Sequence, residues 1–269
     1  MIHPTASIHP KALIDSNAKI GAGVRIGPFA VVDADVELGD HCLVGPHVYL
    51  TGVTKIGAHN KFHCGAVIGD APQDLKYKDA PTRTRIGDNN VFREGVTVHR
   101  ATKVGDETVI GSNNFLMANS HVAHNCVVGH HVILANGTLL AGHVEVQDRV
   151  FISGNCAVHQ FCRVGTLALM QGGTAISHDL PPFTVAHQTN IVCGLNVIGM
   201  RRAGYSAAER AEVKLLYKFI FRAGLNIRPG VEEAREKFTS APAKLFLDFI
   251  ASTKRGICYE TGRRIHDDE

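Results

Sequence analysis

Residues 20–45 read IGAGVRIGPFAVVDADVELGDHCLVG. An aliphatic residue returns at every sixth position, Ile20, Ile26, Val32, Leu38 and Val44, and glycine follows it at 21, 27, 39 and 45. Working outward, the same phase holds Ile8 and Ile14 on one side and Leu50, Ile56, Phe62 and Ile68 on the other. It resumes at Ile86 and continues through Phe92, Val98, Val104, Ile110, Leu116, Val122, Val128, Leu134, Leu140, Val146, Ile152, Val158, Val164, Met170 and Ile176. All twenty-seven positions are apolar in a chain that is 45% hydrophobic. Chance would produce such a run about once in a billion trials, so the period belongs to the fold.

A period of six matches neither the 3.6 of a helix nor the 2 of a lone strand. It suits a short strand plus a tight turn, with three such units closing a triangular coil of 18 residues. The aliphatic side chains then stack inward, coil on coil, at about 4.8 Å, and bury a column that no single coil could bury alone. Glycine after the inward residue, at 57, 69, 87, 105, 111, 129 and 165 as well, is expected to supply φ > 0 at the turn. The expected architecture is an all-β parallel β-helix of hexapeptide repeats.

The step from Ile68 to Ile86 is 18, so residues 69–85 are expected to replace one coil and loop outward. Their polar, proline-bracketed sequence, Asp70 to Pro81, reads as a projecting functional loop. After Ile176 the period fails, and Pro181-Pro182 introduces a different texture. The expected division is a β-helical domain over 1–190 and a small α-helical C-terminal domain over 191–269. Ser206-Ala207-Ala208-Glu209 forms a capping box opening a helix to Ala223 with Gly224 as its stop, and further helices follow Pro229 and Pro242. Arg210, Lys214, Lys218 and Arg222 recur at intervals of four on the capped helix. That stripe is either a solvated face or a dock for an acidic partner.

A net charge of +3, with no basic cluster interleaved with aromatics, argues against nucleic acid. The seven dispersed cysteines hold no C-x-x-C pair and fit a reducing cytoplasm. No signal-peptide pattern opens the chain and no stretch has the length of a membrane span, so a cytoplasmic protein without membrane insertion is expected.

The 16 histidines are not scattered evenly. With coil starts at Ile86, Val104, Val122, Leu140 and Val158, His124, His143 and His159 fall near the same corner of three successive coils, and His121 precedes one start. His3, His9, His41, His130, His131 and His266 read as ordinary surface or turn residues. Two chemistries use a histidine corner. A zinc hydratase would coordinate a metal with neutral imidazoles and leave one position open. An acyl transferase would use one imidazole as general base and the others to bind substrate. His121-x-x-His124 lacks the longer H-x-x-x-x-H spacing of metalloenzymes of such folds, and no extra carboxylate is near in sequence. No metal is therefore expected.

Gln73-Asp74-Leu75-Lys76-Tyr77, His121-Val122-Ala123-His124, Leu140-Ala141-Gly142-His143, Ala157-Val158-His159-Gln160-Phe161-Cys162 and Gly199-Met200-Arg201-Arg202 together resemble the UDP-N-acetylglucosamine acyltransferases of the first step of lipid A synthesis. The resemblance covers nearly the whole chain. It implies left-handed coils, a homotrimer with sites between protomers, and a 3-hydroxyacyl carrier protein as donor, with no cofactor. It further implies His124 as general base toward the sugar 3-hydroxyl and the Gly142 N–H as oxyanion donor. Gln73, Asp74, Lys76, His121 and His143 would hold sugar and phosphates, and His159 and Gln160 would lie near the acyl and nucleotide contacts. Asn196 and Arg202 would bind the nucleotide, and the stripe from Arg210 to Arg222 would meet the acidic carrier protein. Gly172 matches the position that limits acyl length, leaving room for a chain of about fourteen carbons rather than about ten, with neighbouring Met170 able to shorten it.

Three positions depart from the family pattern. Asn125 stands where Asp commonly follows the base, Ile198 where Glu is frequent, and Ala203 where a second Arg is common. An amide orients an imidazole but brings no charge. N-acyl transfer to a UDP-3-amino sugar is therefore the nearest alternative. A β-helical scaffold or binding module with incidental histidines is the non-enzymatic one.

Overall fold

A computed structural model describes residues 1–222 and 227–260. The short strands wind through three sheets of eleven, nine and eight strands, parallel except for the last pair of the eleven, that form the faces of a left-handed triangular prism. Neighbours within a face are 18 residues apart through most of its length, as in Ile8 with Ile26, Leu38 with Ile56, and Val122 with Leu140. From Ile20 onward every residue of the six-residue phase is buried except Val104, which is 71% exposed.

Val104 marks an irregularity that the counted phase conceals. Ile56 pairs with Ile86 and Ile86 with Ile110, so two successive coils are 30 and 24 residues long. The first excess is twelve residues, Ala71 to Thr82, inserted between two faces of one coil; the segment does not replace a coil, and 69, 70 and 83–85 belong to strands. The second is a six-residue excursion between Val98 and Ile110, with Val104 on its outer side. Both insertions are multiples of six, which is why the apolar phase survives them. The column behind Val122 accordingly runs through Val98 and Ile68, not through Val104 or Ile86.

Across these two coils one line of the otherwise apolar core is polar. Buried Asn60, Asn90 and Asn114 stack in one line, with Asn60 Oδ1 accepting from the N–H and the side-chain amide of Asn90 at 2.9 Å. Asn90 Oδ1 accepts from the Asn114 N–H at 2.9 Å, and Asn114 Oδ1 from the Val132 N–H at 2.7 Å. Their amide N–H groups donate to the Gly57, Gly87, Gly111 and Gly129 carbonyls.

Of the glycines after the inward residues only Gly69 (φ 84°) and Gly105 (φ 91°) adopt the expected turn conformation; most of the others serve contact. A Cβ on Gly39 would lie 2.5 Å from the Gly57 carbonyl carbon, and one on Gly111 would lie 2.4 Å from the Gly129 oxygen. Left-handed φ falls two residues later, at His41 (57°), Asn113 (63°) and His131 (57°). Many histidines and asparagines of this chain occupy that turn position.

Past Ile176, an antiparallel hairpin of Thr184–His187 and Ile191–Leu195 extends the eleven-stranded face, so the boundary expected at 190/191 falls at the foot of a strand. Helices follow at Val197–Arg202 (α1), Ala207–Arg222 (α2), Ile227–Lys237 (α3) and Ala241–Ala251 (α4). The Ser206 and Glu209 side chains exchange the expected capping bonds at the start of α2. Gly224 lies outside the described residues. Met200, Val213, Leu216, Phe246 and Ile250 form a second core that closes over Leu167 and Phe183 of the prism. Asp179, 1% exposed, pins the two cores together: it accepts from Arg163 and from Thr253, while Arg163 also donates to the Phe249 carbonyl.

Candidate active site

The nine-stranded face carries His121 on His121–Val122 and Leu139, Ala157 and Ala175 at the same register in successive coils. Turns leaving this face bear His124, His143 and Phe161, whose rings meet coil to coil. His124 and His143 pack edge to face at 5.3 Å between centroids, and His143 stacks on Phe161 at 4.6 Å. Asn125, His143 and Phe161 all have φ near +60°, so the turn itself aims these side chains. A groove of about 800 Å³ follows the face, lined by Gln73, His121, His124, Gly142, His159 and Gln160 together with apolar Leu139, Ala157 and Ile176.

The hydrogen bonds around His124 fix its tautomer. The Thr102 N–H, which can only donate, meets the Asn125 side chain at 3.1 Å, and the Asp106 carboxylate, which accepts, meets its other end at 3.0 Å. Asn125 therefore presents Oδ1 to Thr102 and Nδ2 to Asp106. The same Oδ1 lies 3.0 Å from His124 Nδ1, so Nδ1 carries the proton and Nε2 keeps its lone pair. Among the described residues nothing bonds Nε2. Gly142 must be glycine here, because a Cβ would stand 2.4 Å from His124 Cε1. No carbonyl among the described residues accepts from the Gly142 N–H, which leaves a donor beside the base.

His121 Nδ1 shares a 2.7 Å hydrogen bond with Thr97 Oγ1, and its ring meets His99 edge to face at 4.9 Å. Burial pushes His121 down to about 4, helped by His99 and His124 beside it, and burial lowers His99 and His143 too. These imidazoles are neutral near pH 7. In the unfolded chain His121 returns to 6.5, so between about 6.5 and 4 the unfolded state binds protons that the native state refuses, and stability falls as pH falls. The thermal midpoint should decline across that window, and His121→Gln, which keeps a partner for Thr97, should flatten the decline in a calorimetric pH series.

The remaining expected residues divide by location. Asp74 and Lys76 sit on the loop with Gln73, where Asp74 Oδ1 accepts from the Lys76 N–H at 2.9 Å. Arg100 anchors that loop, bonding the Tyr77 hydroxyl and the Gly69 carbonyl at 3.0 Å each. Asn196 and Arg202 lie apart from the histidines, in a second groove on the eleven-stranded face with Ile198 and Ala203. Asn196 caps α1 there, accepting from the Gly199 N–H and donating to the Leu167 carbonyl, both at 2.9 Å. Gly172 is exposed at a prism corner, and a side chain there would meet nothing nearer than the Gly154 oxygen at 3.7 Å. Met170 must be withdrawn from the acyl-chain residues: it is wholly buried in the inward column and cannot reach a surface groove. On α2, Arg210 bonds the Tyr205 carbonyl and Arg222 pairs with Glu260, while Lys214 and Lys218 stand exposed around Leu215.

His99, Thr102 and Asp106 join the site although the uniform six-residue count gives them no place in it. The six-residue slip before Ile110 brings Val98 into register with Val122 and places His99 beside His121. Among the described residues no three His, Cys, Asp or Glu side chains converge as metal ligands.

A hexapeptide prism whose groove sets an imidazole lone pair beside an unpaired backbone N–H defines an acyltransferase of the hexapeptide-repeat class. Hexapeptide transferase repeats match at residues 17–52 and 107–142, and a profile described as UDP N-acetylglucosamine O-acyltransferase, domain 2, matches residues 179–258. Acyl-[acyl-carrier-protein]–UDP-N-acetylglucosamine O-acyltransferases of Pseudomonas putida and Stutzerimonas stutzeri are 45% and 41% identical, each over 93% of this chain and 98% of their own length. The UDP-N-acetylglucosamine acyltransferase structure from Campylobacter jejuni superposes with a TM-score of 0.89 at 35% identity, covering 94% of this chain and 99% of that one. The chain belongs to the UDP-N-acetylglucosamine O-acyltransferase family.

Proposed function

We propose that the protein transfers a 3-hydroxyacyl group from acyl carrier protein to the glucosamine 3-hydroxyl of UDP-N-acetylglucosamine, the first step of lipid A synthesis. The observation that carries this reading is the free Nε2 of His124 beside the unpaired Gly142 N–H, at a groove with an apolar floor. His124 Nε2 takes the hydroxyl proton as the sugar oxygen attacks the thioester carbon. The Gly142 N–H donates to the oxyanion, and the imidazolium returns its proton to the departing thiolate. Gln73, Asp74, Lys76, His121 and His143 hold the sugar and phosphates, with His159 and Gln160 further along the groove.

The protein acts as a cytoplasmic homotrimer, in which the Asn196 and Arg202 groove of one protomer completes the nucleotide site of the next. It needs no cofactor beyond the thioester. Lys214 and Lys218, continued by Arg210 and Arg222, receive the acidic carrier protein. Among the described residues no helix is long and apolar enough to cross a membrane.

The test offers acyl carrier proteins charged with 3-hydroxyacyl chains of about ten to about fourteen carbons, matching the room left at Gly172. UDP-N-acetylglucosamine and its 3-amino analogue are supplied as acceptors. An ester on UDP-N-acetylglucosamine, with the longer chain preferred, is the expected product by mass spectrometry. Acylation of the amino sugar alone would overturn the hydroxyl as acceptor.

A further inference from the structure

The six residues by which the coil between Val98 and Ile110 exceeds the repeat form an excursion whose polar groups converge on one side chain. Lys103 and Asp106 close a turn, with the Asp106 N–H donating to the Lys103 carbonyl at 3.0 Å and Gly105 at φ 91°. From this turn Asp106 Oδ2 accepts from Asn125 Nδ2 at 3.0 Å. The Thr102 N–H and hydroxyl donate to Asn125 Oδ1 at 3.1 and 3.0 Å, and Thr108 Oγ1 accepts from the Asn125 N–H at 2.8 Å. Every polar atom of the Asn125 amide is thus committed, and the one bond that leaves the cluster runs from His124 Nδ1 to Oδ1.

We propose that Asp106 is a positioning residue for the general base, acting on His124 through the Asn125 amide. The proposal rests on the acyl-transfer reading above. A carboxylate facing Nδ2 forbids the flipped amide, which would turn an N–H toward Nδ1 and move the imidazole proton to Nε2, where it would disable the base. It also draws the amide dipole so that Oδ1 is a stronger acceptor, and it places a negative charge behind the imidazolium that forms during transfer. The charge absent from position 125 is thereby supplied one side chain further out. Position 125 itself can then remain an amide, locked by groups that the repeat alone would not provide.

Asp106→Asn keeps an acceptor oxygen for Asn125 Nδ2 and removes the charge. It is expected to lower kcat about tenfold, leave KM for both substrates unchanged, and move the acidic limb of kcat/KM to lower pH. Asp74, Lys103, His99, His121 and His143 also surround this cluster and stay constant in the comparison. The ¹⁵N spectrum of His124 should show Nδ1–H in the wild type and a mixture of tautomers in the variant. The reciprocal exchange, Asp106→Asn with Asn125→Asp, restores the charge next to the imidazole with the amide behind it, and should bring kcat back to within about threefold of wild type.

Unchanged kcat and ¹⁵N spectrum in Asp106→Asn would overturn the proposal. So would an exchange variant no better than the single one, or a loss of activity with the His124 spectrum unaltered, which marks a merely structural role. The spectrum needs no turnover. A wild-type protein inactive on every donor and acceptor sinks the acyl-transfer reading, while the ¹⁵N comparison still decides what Asp106 does.

Discussion

His124→Ala is expected to fold as the wild type does and to lose about a hundred- to ten-thousand-fold in kcat, the range measured for removal of a general base. The ring is partly exposed in the groove, and its hydrogen bond runs to a side chain that Thr102 and Asp106 already hold. Its removal therefore leaves no buried group unpaired, and the thermal midpoint should barely move. KM for the sugar nucleotide should change little, because the contacts assigned to binding lie on Gln73, His121 and their neighbours. A folded His124→Ala protein with undiminished transfer would leave the scaffold alternative standing and remove the assigned chemistry.

Gly142→Ala should cost about a hundred- to a thousandfold, from one methyl group. The added carbon would stand 2.4 Å from His124 Cε1 and 2.6 Å from Nε2, inside the ring's own volume. The ring must rotate away, which breaks its 3.0 Å bond to Asn125 and carries the lone pair from the point of attack. The methyl also crowds the approach of an oxyanion to the Gly142 N–H. The two effects separate in the double variant. In a His124→Ala background the methyl has room, so the further loss measures only the oxyanion contribution. Strict multiplication of the two single losses would show that Gly142 does not act by making space for the ring.

Much of this architecture is legible in the residues because inward position and period coincide: a stack of coils needs an apolar column, and the column recurs every sixth residue. The helix after Ser206 is legible because its cap is local chemistry. The histidine corner is legible from Val122 onward, where the 18-residue metre is unbroken. It is not legible above Val122, because insertions of twelve and six residues preserve the phase while moving it from one face to another. A count of apolar positions cannot see that exchange, so it puts Val104 in the core and gives His99 no place beside His121. The role of most of the glycines is hidden for a similar reason: contact between the backbones of successive coils is a relation between residues about 18 apart, and no local pattern reports it. Met170 illustrates the limit of reading a neighbour in sequence as a neighbour in space, since it ends a strand with its side chain in the inward column while Gly172 lies in the exposed turn that follows.

Asn60, Asn90 and Asn114 stand at the two coils where the chain departs furthest from its metre. An aliphatic stack is indifferent to sliding, because one methyl group serves as well as another. A line of amides tolerates only the alignment in which each donor finds its oxygen, and any slippage would strand buried polar atoms. These three side chains act as indexing teeth, keeping the levels of the prism in step while the strand connections beside them vary in length. Excursions that carry the binding and positioning groups can therefore lengthen or shorten by evolution without the wall beneath them losing count.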